Sequence, residues 1–152
     1  MISKQLISLI EESEGFSPTP YLDAGGIPTI GFGFTHYPDN TKVTMHDAPI
    51  TREQGETLLA QILQPFIDGV NKLVPNCNQN QKDALIDFSY NLGLGALRSS
   101  TLLKTIMVNE NDSNITFQFN RWTNGANGEK LPGLVKRRAA EAALYFTPVN
   151  NA

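Results

Sequence analysis

Apolar residues Ile2, Leu6, Leu9 and Ile10 recur at helical spacing, Ile7 widens the stripe, and Gly15 follows as a residue able to close the helix. This predicts a first helix of about three turns. From Tyr21 the period changes. Gly25-Gly26 supplies a tight turn, and Thr29-Ile-Gly-Phe-Gly-Phe34 alternates strictly, which predicts a strand and half of a hairpin. Ile30, Phe32 and Phe34 fall on one face; Thr29, Gly31 and Gly33 make the other face nearly bare, so that something large can come close. At Thr51 the capping-box spacing Thr-x-x-Gln opens a helix over 51–73, with Leu58, Leu59, Ile62, Leu63, Phe66, Ile67 and Val70 on a wide apolar face. Pro65 inside that run is expected to kink or break it. After Pro75 the chain reads as helices: one capped by Asn78 and stopped by Gly93 and Gly95, then 97–108, 114–122 and 134–146.

The order of elements predicts one α+β domain over 1–152. A small β-containing lobe lies at about 15–50, helix 51–73 connects, and an all-α lobe covers 75–152 together with the first helix, leaving a cleft. With 40% hydrophobic and 18% charged residues in 152, a packed core is attainable and disorder is excluded. A net charge of −3 and a pI near 5.3 argue against non-specific nucleic-acid binding. The charge is uneven: residues 1–87 hold 11 acids and 5 bases, residues 88–152 hold 4 acids and 7 bases. A lone Cys77 forbids an intrachain disulfide. Lys4 and Gln5 interrupt the apolar N-terminus, and no stretch reaches the roughly 20 apolar residues of a membrane span, so neither export nor membrane insertion is expected. No metal-ligand spacing or nucleotide loop occurs, and the expectation is a chain without metal or cofactor.

Glu14 continues the apolar stripe of the first helix, whereas Glu11 and Glu12 are rotated away. Lost hydration and the negative end of the helix dipole both favour its protonated form, which a general acid requires; the alternative is a carboxylate frayed into solvent or paired with an arginine. Asp23 stands before the Gly25-Gly26 turn and Thr29 after it, so a hairpin folded over the helix end would bring all three to one edge. Taken alone, Asp23 also suits an Asx-turn and Thr29 a strand.

Glu14-Gly-Phe, Tyr21-Leu-Asp23 and Pro28-Thr-Ile-Gly-Phe-Gly33 together resemble the catalytic signature of the phage-type lysozymes, the endolysin glycoside hydrolases. Gln81-Lys-Asp-Ala-Leu-Ile-Asp-Phe-Ser-Tyr-Asn-Leu-Gly93, Trp122 and Leu131-Pro-Gly-Leu-Val-Lys-Arg-Arg-Ala-Ala-Glu141 extend the resemblance, the last like the lambdoid branch. It implies a lysozyme-like two-lobe fold and hydrolysis of the β-1,4 bond between N-acetylmuramic acid and N-acetylglucosamine in peptidoglycan. Glu14 would be the general acid, Asp23 would support the positive charge on the sugar and help place water, and Thr29 would hold that water, with inversion as the outcome. Gly31, Gly33 and Trp122 would line the substrate, and Arg137 or Arg138 would reach Glu14; the plain reading of Lys136-Arg137-Arg138 is a solvated helix face. The family pattern Thr-Ile-Gly-x-Gly-His ends here in Phe34, and His36, two residues on, is either its substitute or a loop histidine. The partner implied is the peptidoglycan strand, met by a monomer made in the host cytoplasm and released to the wall through a holin pore. Two rivals remain: a non-catalytic wall-binding module on this scaffold, and a glycosidase of chitin-like polymers.

Overall fold

In this computed structural model residues 2–149 are described. Among them seven helices and one two-stranded antiparallel sheet form a mixed α+β chain, as the change of period predicts. The chain divides at Gln64/Pro65 into two compact units.

The first unit begins with α1 (Lys4–Glu14). Ser3 caps it by accepting the Leu6 N–H at 3.2 Å, and Gly15, at φ 70°, closes it by donating to the Glu11 carbonyl at 2.7 Å. Leu6, Leu9 and Ile10 are buried, the stripe read from the sequence. β1 (Ser17–Leu22) and β2 (Pro28–Gly31) form a hairpin in which Tyr21 faces Thr29 and Leu22 faces Pro28. The strand is shorter than its alternation predicts. It stops at Gly31, because Gly31 (φ 64°) and Gly33 (φ 83°) reverse the chain. Ile30 and Phe34 then exchange backbone hydrogen bonds of 2.9 and 2.8 Å across the turn. Thr29 is therefore buried along with Ile30, Phe32 and Phe34, and the segment has no open bare face.

α2 (Arg52–Leu73) starts as its capping box predicts: the Gln54 N–H donates to Thr51 Oγ1 at 3.1 Å and the Thr51 N–H to Gln54 Oε1 at 2.8 Å. Pro65 does not break it, and the helix runs through 22 residues. Burial of Leu59, Leu63 and Val70 on either side outweighs the one backbone bond that proline removes.

The second unit is built on α3 (Gln79–Leu92), whose capping box joins Asn78 and Gln81 and whose residues 83–89 are all buried. The single helix expected over 97–108 is two, α4 (Leu94–Ser99) and α5 (Thr101–Val108). Ser100 separates them, turning its hydroxyl to the Leu103 N–H at 3.0 Å as the cap of α5. α6 (Ile115–Asn120) and α7 (Pro132–Tyr145) complete it, with α7 packed on α3 and α6. Phe88 lies at the centre, edge-on to Phe119 at 6.0 Å and to Trp122 at 5.5 Å.

Candidate active site

Glu14 is the last residue of α1, and three contacts within the first unit fix that helix end. Arg52 grips Glu11 through two N–H···O bonds, Nη1 to Oε2 at 2.8 Å and Nη2 to Oε1. The same guanidinium covers the rings of Phe16 and Phe32 at 5.7 and 5.6 Å. Phe16, two residues after Glu14, lies against Gly55 of α2 so closely that a Cβ there would meet its ring at 2.6 Å. The half-buried Glu14 side chain in turn packs on Gly33, where a Cβ would stand 2.5 Å from Oε2 and 3.0 Å from the carboxyl carbon. The bare backbone noted in the sequence thus makes room for the carboxyl group itself.

Two glycines separate the two costs involved. Gly33→Ala is expected to lower the denaturation midpoint by more than Gly26→Ala. Both positions have positive φ, about 1–3 kcal/mol of strain for another residue, but nothing lies within 4 Å of a Cβ at Gly26. Equal midpoints would show that Glu14 does not need this space.

Asp23 ends the hairpin's outgoing arm as an Asx-type turn. Its Oδ1 accepts the N–H groups of Gly25 at 2.8 Å and Ile27 at 3.0 Å. Thr29, on the returning arm, donates its hydroxyl proton to the Ile27 carbonyl at 2.8 Å, leaving the oxygen's lone pairs as acceptors. Burial, then the negative charges of Glu14 and Asp23, push the Tyr21 hydroxyl above its ordinary value, so both carboxylates act on one phenol. One hairpin and one helix end therefore assemble Glu14, Tyr21, Asp23 and Thr29. Sequence reasoning quoted Tyr21 within the signature but gave it no task.

Gly31, the other glycine expected to face substrate, accommodates the buried Phe34, whose ring a Cβ there would meet at 2.6 Å. His36 is exposed, its Nδ1 3.0 Å from Thr35 Oγ1, so it is a surface histidine and does not take the place filled by Phe34. Trp122, Arg137 and Arg138 belong to the second unit. Trp122 is half-buried against Phe88. The two arginines are not a solvated helix face. Arg137 donates from Nε and Nη2 to Asp87 at 3.0 and 2.7 Å, both side chains being almost fully buried. Arg138 donates from Nη2 to Asn91 Oδ1 at 2.8 Å and to Glu141 Oε2 at 2.9 Å, and lies over the Phe88 ring at 5.1 Å. The helix turns these two inward and leaves Lys136 exposed, because buried carboxylates on α3 and α7 await them.

Among the described residues no group of three or more His, Cys, Asp and Glu is placed to hold a metal ion, and no helix is long and apolar enough to cross a membrane. The phage lysozyme family model matches residues 11–141. The endolysin of Bacillus phage PZA is 40% identical over 98% of this chain. The chain spans 57% of that relative's length and 54% of the length of the endolysin of Bacillus phage B103, which is 39% identical over 96% of this chain. Among solved structures, an endolysin from Escherichia coli O157:H7 phage FAHEc1 superposes with a TM-score of 0.86 at 32% identity, covering 100% of this chain and 97% of that one. The muramidase domain of SpmX from Asticaccaulis excentricus gives 0.80 at 31%, covering 97% and 99%. A family match that begins at Glu11 and ends at Glu141 takes in the helix end, the hairpin and both buried arginines, and the chain belongs to the phage lysozyme family.

Proposed function

We propose that this chain is an endolysin that hydrolyses the β-1,4 bond between N-acetylmuramic acid and N-acetylglucosamine in bacterial peptidoglycan. The observation that carries the reading is the gathering of Glu14, Asp23 and Thr29 around one hairpin of a phage-lysozyme fold. The match to a muramidase domain supports the choice of bond. Glu14 gives its proton to the glycosidic oxygen as the bond to the anomeric carbon breaks. A water molecule directs one proton to Asp23 and the other to the Thr29 oxygen, whose own proton is already committed to Ile27. The lone pair of that water then points at the anomeric carbon, and Asp23 takes the proton it sheds as the new C–O bond forms. Attack from the face opposite the leaving group inverts the anomer. In the same reading Trp122 contacts the glycan. The chain acts as a monomer, held in the host cytoplasm until a holin admits it to the wall.

Digestion of purified peptidoglycan tests the reading: the new reducing ends are expected on N-acetylmuramic acid, first appearing as the α-anomer. Chitin cleaved in preference, or binding with no new ends, would instead favour the chitin-type glycosidase or the wall-binding module. Asp23→Asn is expected to slow turnover by about 10²-fold or more with little change in melting. The asparagine oxygen still accepts the Gly25 and Ile27 N–H groups, so the turn survives while the charge is lost. Thr29→Ala should lose a comparable factor and Thr29→Ser recover most of it. Wild-type rates in both Asp23→Asn and Thr29→Ala would leave Glu14 without a partner and remove the water-placing step.

A further inference from the structure

Tyr21 has the geometry of a ligand-binding side chain and no described task within the fold. It stands directly opposite Thr29 in the hairpin register, and residues so paired project from the same face of a sheet with Cβ atoms about 5 Å apart. The side chain is half-buried. Two other phenols differ. Tyr37 donates to Asp47 Oδ2 at 2.6 Å and Tyr145 to the Glu110 carbonyl at 2.8 Å, whereas the Tyr21 hydroxyl makes no hydrogen bond among the described residues.

Its neighbours explain what the hydroxyl is for. Asp23 offers carboxylate oxygens, and Thr29 has spent its only side-chain proton on Ile27. This corner of the site is therefore rich in acceptors. An N-acetylated sugar brings hydroxyl donors to match them, but its acetamido carbonyl and its own hydroxyl oxygens require a donor in return. We infer that Tyr21 is a substrate-binding residue of the reaction proposed above, its phenol O–H donating to an acetamido or hydroxyl oxygen of the sugar seated against Asp23 and Thr29. The inference rests on that reading of the site. Burial, then the charges of Glu14 and Asp23, raise the phenol's pKa above its ordinary value, so the hydroxyl keeps its proton and stays a donor.

The test compares Tyr21→Phe with wild type and with Tyr37→Phe, which breaks a phenol bond away from this corner. On soluble peptidoglycan fragments Tyr21→Phe is expected to raise KM about tenfold, the worth of one hydrogen bond, with kcat and melting temperature nearly unchanged. N-Acetylglucosamine oligomers should bind about tenfold more weakly to Glu14→Gln/Tyr21→Phe than to Glu14→Gln alone. Tyr37→Phe should shift melting and leave KM in place. Unchanged KM and oligomer affinity in Tyr21→Phe, beside an inactive Glu14→Gln, would overturn this inference alone. So would a lowered melting temperature with KM unmoved. A wild-type protein that releases no reducing ends from peptidoglycan would overturn the inference together with the reading beneath it.

Discussion

Glu14→Gln is expected to lower turnover on peptidoglycan by about 10²–10⁴-fold, the range a positioned general acid contributes, while the protein folds and binds glycan as before. The amide matches the carboxyl in shape, so it fits the space over Gly33 and keeps the half-buried packing of the α1 end. What it lacks is a proton acidic enough to pass to the departing sugar oxygen. Glu12→Gln, at an exposed position one turn face away, should leave the rate unchanged. Glu11→Gln weakens the exposed grip of Arg52 and should touch melting more than rate. Reducing-end release and thermal melting, measured on the same preparations, decide the matter. A loss of only a few-fold in Glu14→Gln would end its assignment as the acid.

The residues most legible in the sequence are those whose geometry is local. Glu14, Asp23 and Thr29 span one helix end and one short hairpin, so a turn signal at Gly25-Gly26 and a stop at Gly15 suffice to bring them together. Gly33 was readable as a place of close approach, but not what approaches. Its neighbour is the Glu14 carboxyl, and that of Gly31 is Phe34. The same two glycines mimic strand alternation because they recur at a spacing of two, and only their positive φ shows that the chain is turning. Ser100 was hidden in the same way: its capping role is masked by apolar periodicity that continues across the break between α4 and α5. The inward turn of the basic run was hidden for a different reason. Arg138 and Glu141, three apart on one helix, could be paired from spacing, but the partner of Arg137 lies 50 residues away on α3, and no local pattern announces it.

That buried pair sets the largest expected change in stability. Arg137→Met is expected to destabilise the second unit by about 3–5 kcal/mol near neutral pH, the usual cost of stranding one member of a buried ion pair. Burial alone would raise the Asp87 pKa; the hydrogen bonds from Glu141 and Arg137 and the charges of Arg137 and Arg138 overcome it and hold that carboxyl below its ordinary range. Stability from ionised Asp87 is therefore fully present above the ordinary carboxylate range and lost as pH falls through the depressed value. Without Arg137 the Asp87 pKa rises, so the gap between variant and wild type should be widest near neutrality and narrow in acid. Glu141 runs the other way. Burial first, then the bond to and charge of Asp87, raise it well above its ordinary value against the pull of Arg138, whose Nε lies 2.7 Å from its Oε1, and of Arg137, which favours a proton shared with Asp87. Its contribution is complete below the ordinary carboxylate range and declines as pH rises toward the raised value. Glu141→Gln preserves a neutral donor and acceptor of the same shape with no proton to lose. It should match wild type in acid and gain on it as pH rises, opposite in slope to the Arg137→Met deficit. Denaturant unfolding from about pH 3 to about pH 8 compares the two directly. If Glu141→Gln instead loses stability with rising pH as Arg137→Met does, Glu141 is ionised in the folded protein and the shared proton lies elsewhere in the cluster.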